Sequence, residues 1–258
     1  MTKLLVMTDP HLTPGAERII DLDPLDRLTA TLDHAAHNHP DAERLILNGD
    51  LTHHGDRESY RKLHTALVDR LWPVSLVMGN HDNRGIFREV FPDCPVDPSG
   101  FVQSVVDMDS LRIITLDSLD EDGIVPMHAG HLCQRRLDWL ATQLADAGKK
   151  PCLVFLHHPP FRSGFDGMDD IRLLNAAAFA EVLSHGPVAH VFAGHIHRNI
   201  TSTVGSIPVT VLKSTCHQMP MLLGTDGSHH SVDEPSGYAI VLVDGADVVV
   251  HLEDVPAD

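Results

Sequence analysis

Five short stretches end in residues with strong ligand chemistry: Asp9-Pro-His11, Gly49-Asp50, Gly79-Asn80-His81-Asp82, His157-His158 and Gly194-His195-Ile196-His197. Each follows an apolar run: "KLLVMTD", "RLILNGD", "VSLVMGN", "CLVFLHH" and "AHVFAGH". Carboxylate, amide and imidazole side chains without a nearby thiolate suit divalent Mn, Fe, Co or Zn. Two such ions about 3.5–4 Å apart serve in-line displacement at phosphorus. A carboxylate bridges two cations, whereas an amide oxygen is a neutral, weaker ligand, so Asp50 is expected to bridge and Asn80 to bind one metal. Adjacent Asn80 and His81 do not readily aim at one ion together. A free imidazole beside a leaving alkoxide is instead a natural general acid, which is the role expected of His81. Asp82 is expected to cap the following helix or to orient His81.

Groups this far apart in sequence meet only if the elements carrying them are parallel neighbours. The apolar runs, with "LRIITLDS" as a sixth, alternate with helical patterns at Pro24 to Asn38 behind an Asp23 cap, Arg57 to Arg70, His131 to Ala147 and Asn175 to Ser184. That rhythm belongs to a layered α/β protein. In open sheets of this kind ligands gather beyond the carboxyl ends of the strands. Glycines 49, 79 and 194 are expected to permit the tight turns that aim the next side chain into the cleft. The last third reads as hairpin-like strands at Asn199 to Val204, Ile207 to Val211, Tyr238 to Val243 and Val248 to Leu252. Two sheets flanked by helices follow, in one domain spanning residues 1–258. The segment 217–237 has no sustained period and is expected to be a lid or a dimer contact.

Composition bounds the partners. With 36 acidic against 19 basic residues and a formal charge of −17, no Lys/Arg groove for nucleic acid is expected. No stretch is long and apolar enough for a membrane span. The four cysteines, 94, 133, 152 and 216, form no CxxC pair and fit a reducing cytoplasm. Histidine is abundant, 20 residues, and the pair HH occurs at 53/54, 157/158 and 229/230, so a lone pair means little. His195 and His197 gain meaning from the strand and glycine before them.

The ordered set DxH, GD, GNHD, a strand-end His and GHxH resembles the calcineurin-like metallophosphoesterase superfamily. The compact length, "GNHD", "FLHHPP" and "TCHQMP" are most similar to class III cyclic nucleotide phosphodiesterases and bacterial glycerophosphodiesterase relatives. The resemblance implies a four-layer α/β/β/α sandwich holding two metals. Asp9, His11, Asp50 and His197 would hold the first, and Asp50, Asn80, His157 and His195 the second, with His81 beside them. It also implies substrate contacts at His217 and His53 and assembly into dimers or larger homo-oligomers, while His158, beside the expected ligand His157, is expected to support a ligand.

Two dications with Asp9 and Asp50 leave a surplus of about two positive charges, and a hydroxide derived from water leaves about one. A singly charged diester neutralises that, while a dianionic monoester overshoots. The motif blocks hold no Arg to compensate, although Arg162, Arg172 or Arg198 could still reach the site. Small phosphodiesters are therefore the expected substrates, cyclic nucleotides such as cyclic AMP ahead of glycerophosphodiesters. A phosphomonoesterase and a metal-free binding scaffold are the alternatives, and a nuclease is disfavoured by the acidity. Specificity is assigned to the loops 123–130, 159–170 and 217–237.

Overall fold

The computed structural model describes residues 1–224 and 230–256. In chain order the elements are β1 (Thr2–Met7), α1 (Pro24–Asn38), β2 (Arg44–Asn48), α2 (Arg57–Leu67), β3 (Val74–Val77), α3 (Arg84–Val90), β4 (Ser104–Asp107), β5 (Arg112–Thr115) and α4 (Gln134–Asp146). They continue as β6 (Cys152–Phe155), α5 (Asp166–Asp170), α6 (Ala176–Ser184), β7 (Val188–Ala193), β8 (Ile200–Val204), β9 (Ile207–Val211), β10 (Gly237–Asp244) and β11 (Asp247–Asp254).

Two sheets result, one ordered β11-β10-β1-β2-β3 and the other β4-β5-β6-β7-β9-β8. The strands that precede the polar blocks pair in parallel, β1 with β2, β2 with β3 and β6 with β7. Their carboxyl ends therefore point the same way within each sheet. These strands are apolar on both faces because both faces are covered. Leu4, Val6, Ile46 and Val77 meet Ile113, Leu153, Phe155 and Phe192 in a layer between the sheets. Leu5, Met7, Leu45 and Leu47 face the opposite way, onto Leu28, Leu32, Tyr60, Leu63 and Phe87 of the first three helices. On the far side Ile114, Val154 and Val191 pack on Leu137, Leu140, Phe179 and Leu183 of α4 and α6. Helix, sheet, sheet, helix is the four-layer sandwich expected.

Local signals set the ends. Asp23 accepts from Leu25 N and Asp26 N and opens α1 with Pro24 in its first turn, as its sequence predicts. α2 stops at Leu67, three residues before the expected Arg70, and α4 begins at Gln134, three after the expected His131. A helix after Asp82 was expected and is α3, whereas the short α5 and β4 were not anticipated, because 4–5 residues carry too little periodicity to register. The two C-terminal hairpins part company: β8 and β9 complete the second sheet, whereas β10 crosses to pair antiparallel with β1 in the first. Among the described residues no helix is long and apolar enough to cross a membrane.

Candidate metal centre

The polar blocks converge at one cleft between the carboxyl ends of the two sheets. Ligand-capable atoms of Asp9, His11, Asp50 and His197 lie within 4.8 Å of one another, and so do those of Asp50, His157 and His195. Asp50 joins the groups through a single atom, since its Oδ2 is 3.5 Å from His11 Nε2 and 3.2 Å from His157 Nε2. Asp9 Oδ1 lies 3.2 Å from His197 Nε2. Asn80 sits at the rim, and its Oδ1 is buried without a hydrogen-bond partner.

The backbone is bent to achieve this. Asp9, His11, Asp50, His195 and His197 all have positive φ, between 47° and 73°. Non-glycine residues adopt that conformation at a cost of about 1–2 kcal/mol each, and such residues cluster at functional sites. The glycines matter differently from expectation. Gly49 alone of the three has positive φ, at 96°. At Gly79 a Cβ would lie 2.2 Å from Asp50 Oδ1, and at Gly194 it would lie 2.1 Å from Thr8 Oγ1 and 2.6 Å from Asp9 Oδ2. These two are small because a carboxylate from another strand occupies the space of a side chain.

The residues fit a pair of cations. The Nε2 atoms of His157 and His195 are buried with no hydrogen-bond partner. His157 donates Nδ1–H to Asn48 O at 3.0 Å, and His197 donates Nδ1–H to His217 O at 2.8 Å, so Nε2 is the nitrogen each ring turns toward the carboxylates and would offer a cation. Burial lowers the pKa of His11 and His195 well below the usual imidazole value, which keeps both neutral as metal ligands must be. Burial opposes charge on His157 too, but Asp50 and Asp9 outweigh it and raise its pKa to about 9, a site that draws a cation. Although burial raises the pKa of Asp50, the imidazoles of His157, His81 and His11 hold it well below the carboxylate range.

His81 adjoins this cluster. Its backbone N–H donates to Asp50 Oδ1 at 2.9 Å, and its Nδ1–H donates to His53 O at 2.8 Å. The His81 ring stacks on His53 at 5.0 Å and on His128 at 5.1 Å between centroids. Asp82 does neither thing expected of it. Asn83 caps α3 instead, and Asp82 accepts from Gly79 N, Leu51 N, Thr52 N and Tyr60 OH at 2.9–3.2 Å. It staples the loop after β2 to the loop after β3.

A cavity of about 450 Å3 opens over the cluster, lined by His53, Asn80, His81, His128, His217 and Met219 among others, and among the described residues by no Arg or Lys. Each loop assigned to specificity contributes: His128 from the first, Met168 from the second, and Gln218, Met219, His230 and Ser231 from the third. Arg198 is held by Glu234 at 2.7 Å and Arg172 by Asp169 O, while Arg162 is 3.5 Å from Asp169. Met219 packs with Phe165 and Met168 and also faces the cavity, whereas Met221 is exposed. His158 supports from behind, bonded to Ser118 Oγ at 2.8 Å. Of the segment 217–237, Gln218 and Val232 form a two-stranded bridge, and His230 reaches the cavity. Residues 225–229, including His229, lie outside the described residues. His128 escaped the sequence reading because it ends no strand and completes no motif. Its sign is a positive φ of 69°, which sequence does not display.

Comparison with known proteins decides the family. The family model described as calcineurin-like phosphoesterase matches residues 2–199. The chain belongs to the calcineurin-like phosphoesterase family. This family member is 39% identical over 251 residues to the "Probable cyclic nucleotide phosphodiesterase" of Rhodopseudomonas palustris, covering 96% of this chain and 91% of that protein. It is 31% identical to the cAMP/cGMP dual specificity phosphodiesterase of Mycobacterium tuberculosis, covering 96% and 77%. It is 30% identical to the glycerophosphodiester phosphodiesterase GpdQ of Enterobacter lignolyticus, covering 76% and 70%. Among solved structures, a dimetal phosphatase from Danio rerio superposes with a TM-score of 0.67 at 16% identity, covering 99% of both chains. That likeness is one of fold.

Proposed function

We propose that this calcineurin-like phosphoesterase is a dinuclear metal-dependent phosphodiesterase of small diesters, with 3′,5′-cyclic nucleotides such as cyclic AMP first and glycerophosphodiesters second. The carrying observation is the Asp50 Oδ2 atom shared between two donor groups, beneath a cavity lined, among the described residues, by no Arg or Lys. Relatives named as cyclic nucleotide phosphodiesterases and as a glycerophosphodiesterase support the substrate class.

Asp9, His11, Asp50 and His197 would hold one ion, and Asp50, Asn80, His157 and His195 the other. Bound there, the ions supply Lewis acidity toward the phosphoryl oxygens and lower the pKa of water. Mn, Fe, Co and Zn all suit these oxygen and nitrogen donors. His81 performs the proton step. With Nδ1–H held on the His53 carbonyl, the protonated ring delivers its Nε2 proton to the departing alkoxide. His53 and His217 flank the cavity as substrate contacts. His217 is neutral there, because burial brings its pKa down to about 2, so it offers hydrogen bonds rather than charge. A monoanionic diester needs no further cation, which disfavours a dianionic monoester. Met168, Ile171 and Met219 give the organic part of the diester an apolar wall. Four free cysteines support the cytoplasmic assignment.

The test is kcat/KM for 3′,5′-cyclic AMP beside a glycerophosphodiester on manganese-reconstituted protein, with a chelator control. A preference of about 100-fold for the cyclic nucleotide corresponds to roughly 2.7 kcal/mol of transition-state binding and supports the first assignment. The reverse preference selects glycerophosphodiesters, and no chelator-sensitive turnover of either removes the reading.

A further inference from the structure

Asn80 is the neutral member of its donor group, and an amide is a ligand only through its oxygen. Its two ends are similar in size, so something must decide which end faces the cations. The Asn80 Nδ2–H group donates to His128 Nδ1 at 3.0 Å, while Asn80 Oδ1 is buried and has no partner. An amide nitrogen only donates, so His128 Nδ1 accepts. That bond ties down the non-ligating end and leaves the oxygen free.

His128 is itself held in place. His158 is fully buried and donates Nε2–H to the His128 carbonyl at 3.2 Å. The other nitrogen of His158 accepts from Ser118 Oγ at 2.8 Å. Two residues on, a Cβ at Gly130 would lie 2.4 Å from the His158 ring, so that glycine lets the loop lie flat against it. The result is a chain of contacts, Ser118 to His158 to the His128 carbonyl, and His128 Nδ1 to Asn80. The left-handed backbone at His128, with φ of 69°, persists under this restraint.

We propose that His128 is a positioning residue that orients the Asn80 amide, oxygen toward the second metal position, through its Nδ1 acceptor. This rests on the dinuclear reading of the site. Outer partners of metal ligands fix ligand orientation, and their loss typically weakens metal affinity about 10–100-fold.

Two substitutions separate the acceptor from the ring. His128→Phe keeps an aromatic ring against His81 and removes the acceptor. His128→Asn removes the ring, but its Oδ1 branches from Cγ as His Nδ1 does, and Asn tolerates left-handed backbone better than most residues. The measurement is manganese binding to metal-free protein by titration calorimetry, with metal content by elemental analysis. Because His128 is exposed, neither change reaches the core. Melting temperature checks this, and His128→Ala replaces the Phe variant if that one melts early.

Wild type is expected to take up two ions. His128→Phe should bind the second about 10–100-fold more weakly, with its turnover restored as manganese is raised past the new Kd. His128→Asn should lie within about threefold of wild type. A His128→Phe protein that binds both ions like wild type overturns the inference alone, as does a His128→Asn protein as weak as His128→Phe. A wild type that takes up fewer than two ions overturns the dinuclear reading, and the inference falls with it.

Discussion

The Nε2 atoms of His11 and His197 stand 3.0 Å apart in a buried cleft, with an Asp9 carboxylate oxygen 3.2 Å from the latter. The His197 ring donates its Nδ1–H to the His217 carbonyl, which turns its Nε2 toward His11 and Asp9. The His11 ring can donate an Nε2–H to that nitrogen, but a cation in the same place would draw on both rings and on the carboxylate at once. Chelator-stripped protein is therefore expected to melt at a lower temperature, with manganese restoring it. Mass action at 100 times Kd contributes about 2.7 kcal/mol per site. An unfolding curve indifferent to both chelator and manganese would count against the site.

His81 lies next to the ligand groups but is held by the His53 carbonyl. His81→Ala is expected to lower kcat by about 10²–10⁴-fold, the span of general acid catalysis, with two ions retained. Because His11, His53 and His81 also form a triad of ligand-capable nitrogens, elemental analysis of the variant is the decisive readout. Loss of an ion would make His81 a ligand instead of a proton donor.

Asp82 gathers five donors, from two loops and from Tyr60 on α2, in a buried position. Asp82→Ala leaves them without a partner, and each buried orphan costs about 1–3 kcal/mol before relaxation. Urea unfolding of the metal-free variant is expected to show a loss of about 3–5 kcal/mol. A loss under about 1 kcal/mol would mean that water or backbone movement replaces the staple.

Away from the cleft, His190 on β7 bonds Thr210 Oγ1 at 2.8 Å, and burial lowers its pKa to about 4. Between about pH 6.5, where an unfolded histidine takes up a proton, and pH 4, the unfolded chain binds the proton and the native one does not. Stability from this group is thus fully present above pH 6.5 and is lost as pH falls toward 4, by on the order of 2–3 kcal/mol. The comparison is wild type against His190→Gln, by urea unfolding at pH 7 and at pH 4.5. Parallel losses in the two proteins would remove His190 as the cause.

Much of the fold was legible because both faces of its central strands are buried: runs such as "RLILN" and "CLVF" stay apolar without alternation and stop at polar residues. The α1 boundaries were equally open to reading, since Asp23 and Pro24 are local signals. Boundaries set by packing were not, as the early end of α2 at Leu67 illustrates. Asp82 was misjudged for the same reason. A carboxylate before a helix resembles a cap in sequence, and only the packed loops and α2 reveal five donors around it.

By itself the sequence determined the donor chemistry, the chain order of the strands that carry it and the net acidity, because these depend on residue type and local period. The tertiary structure alone decided which oxygen of Asp50 faces both donor groups, why Gly79 and Gly194 must be small, and that the last two hairpins join different sheets. It also brought His128 to Asn80 across 48 residues. Contacts of this kind join side chains from separate loops, and no spacing along the chain encodes the distance between them.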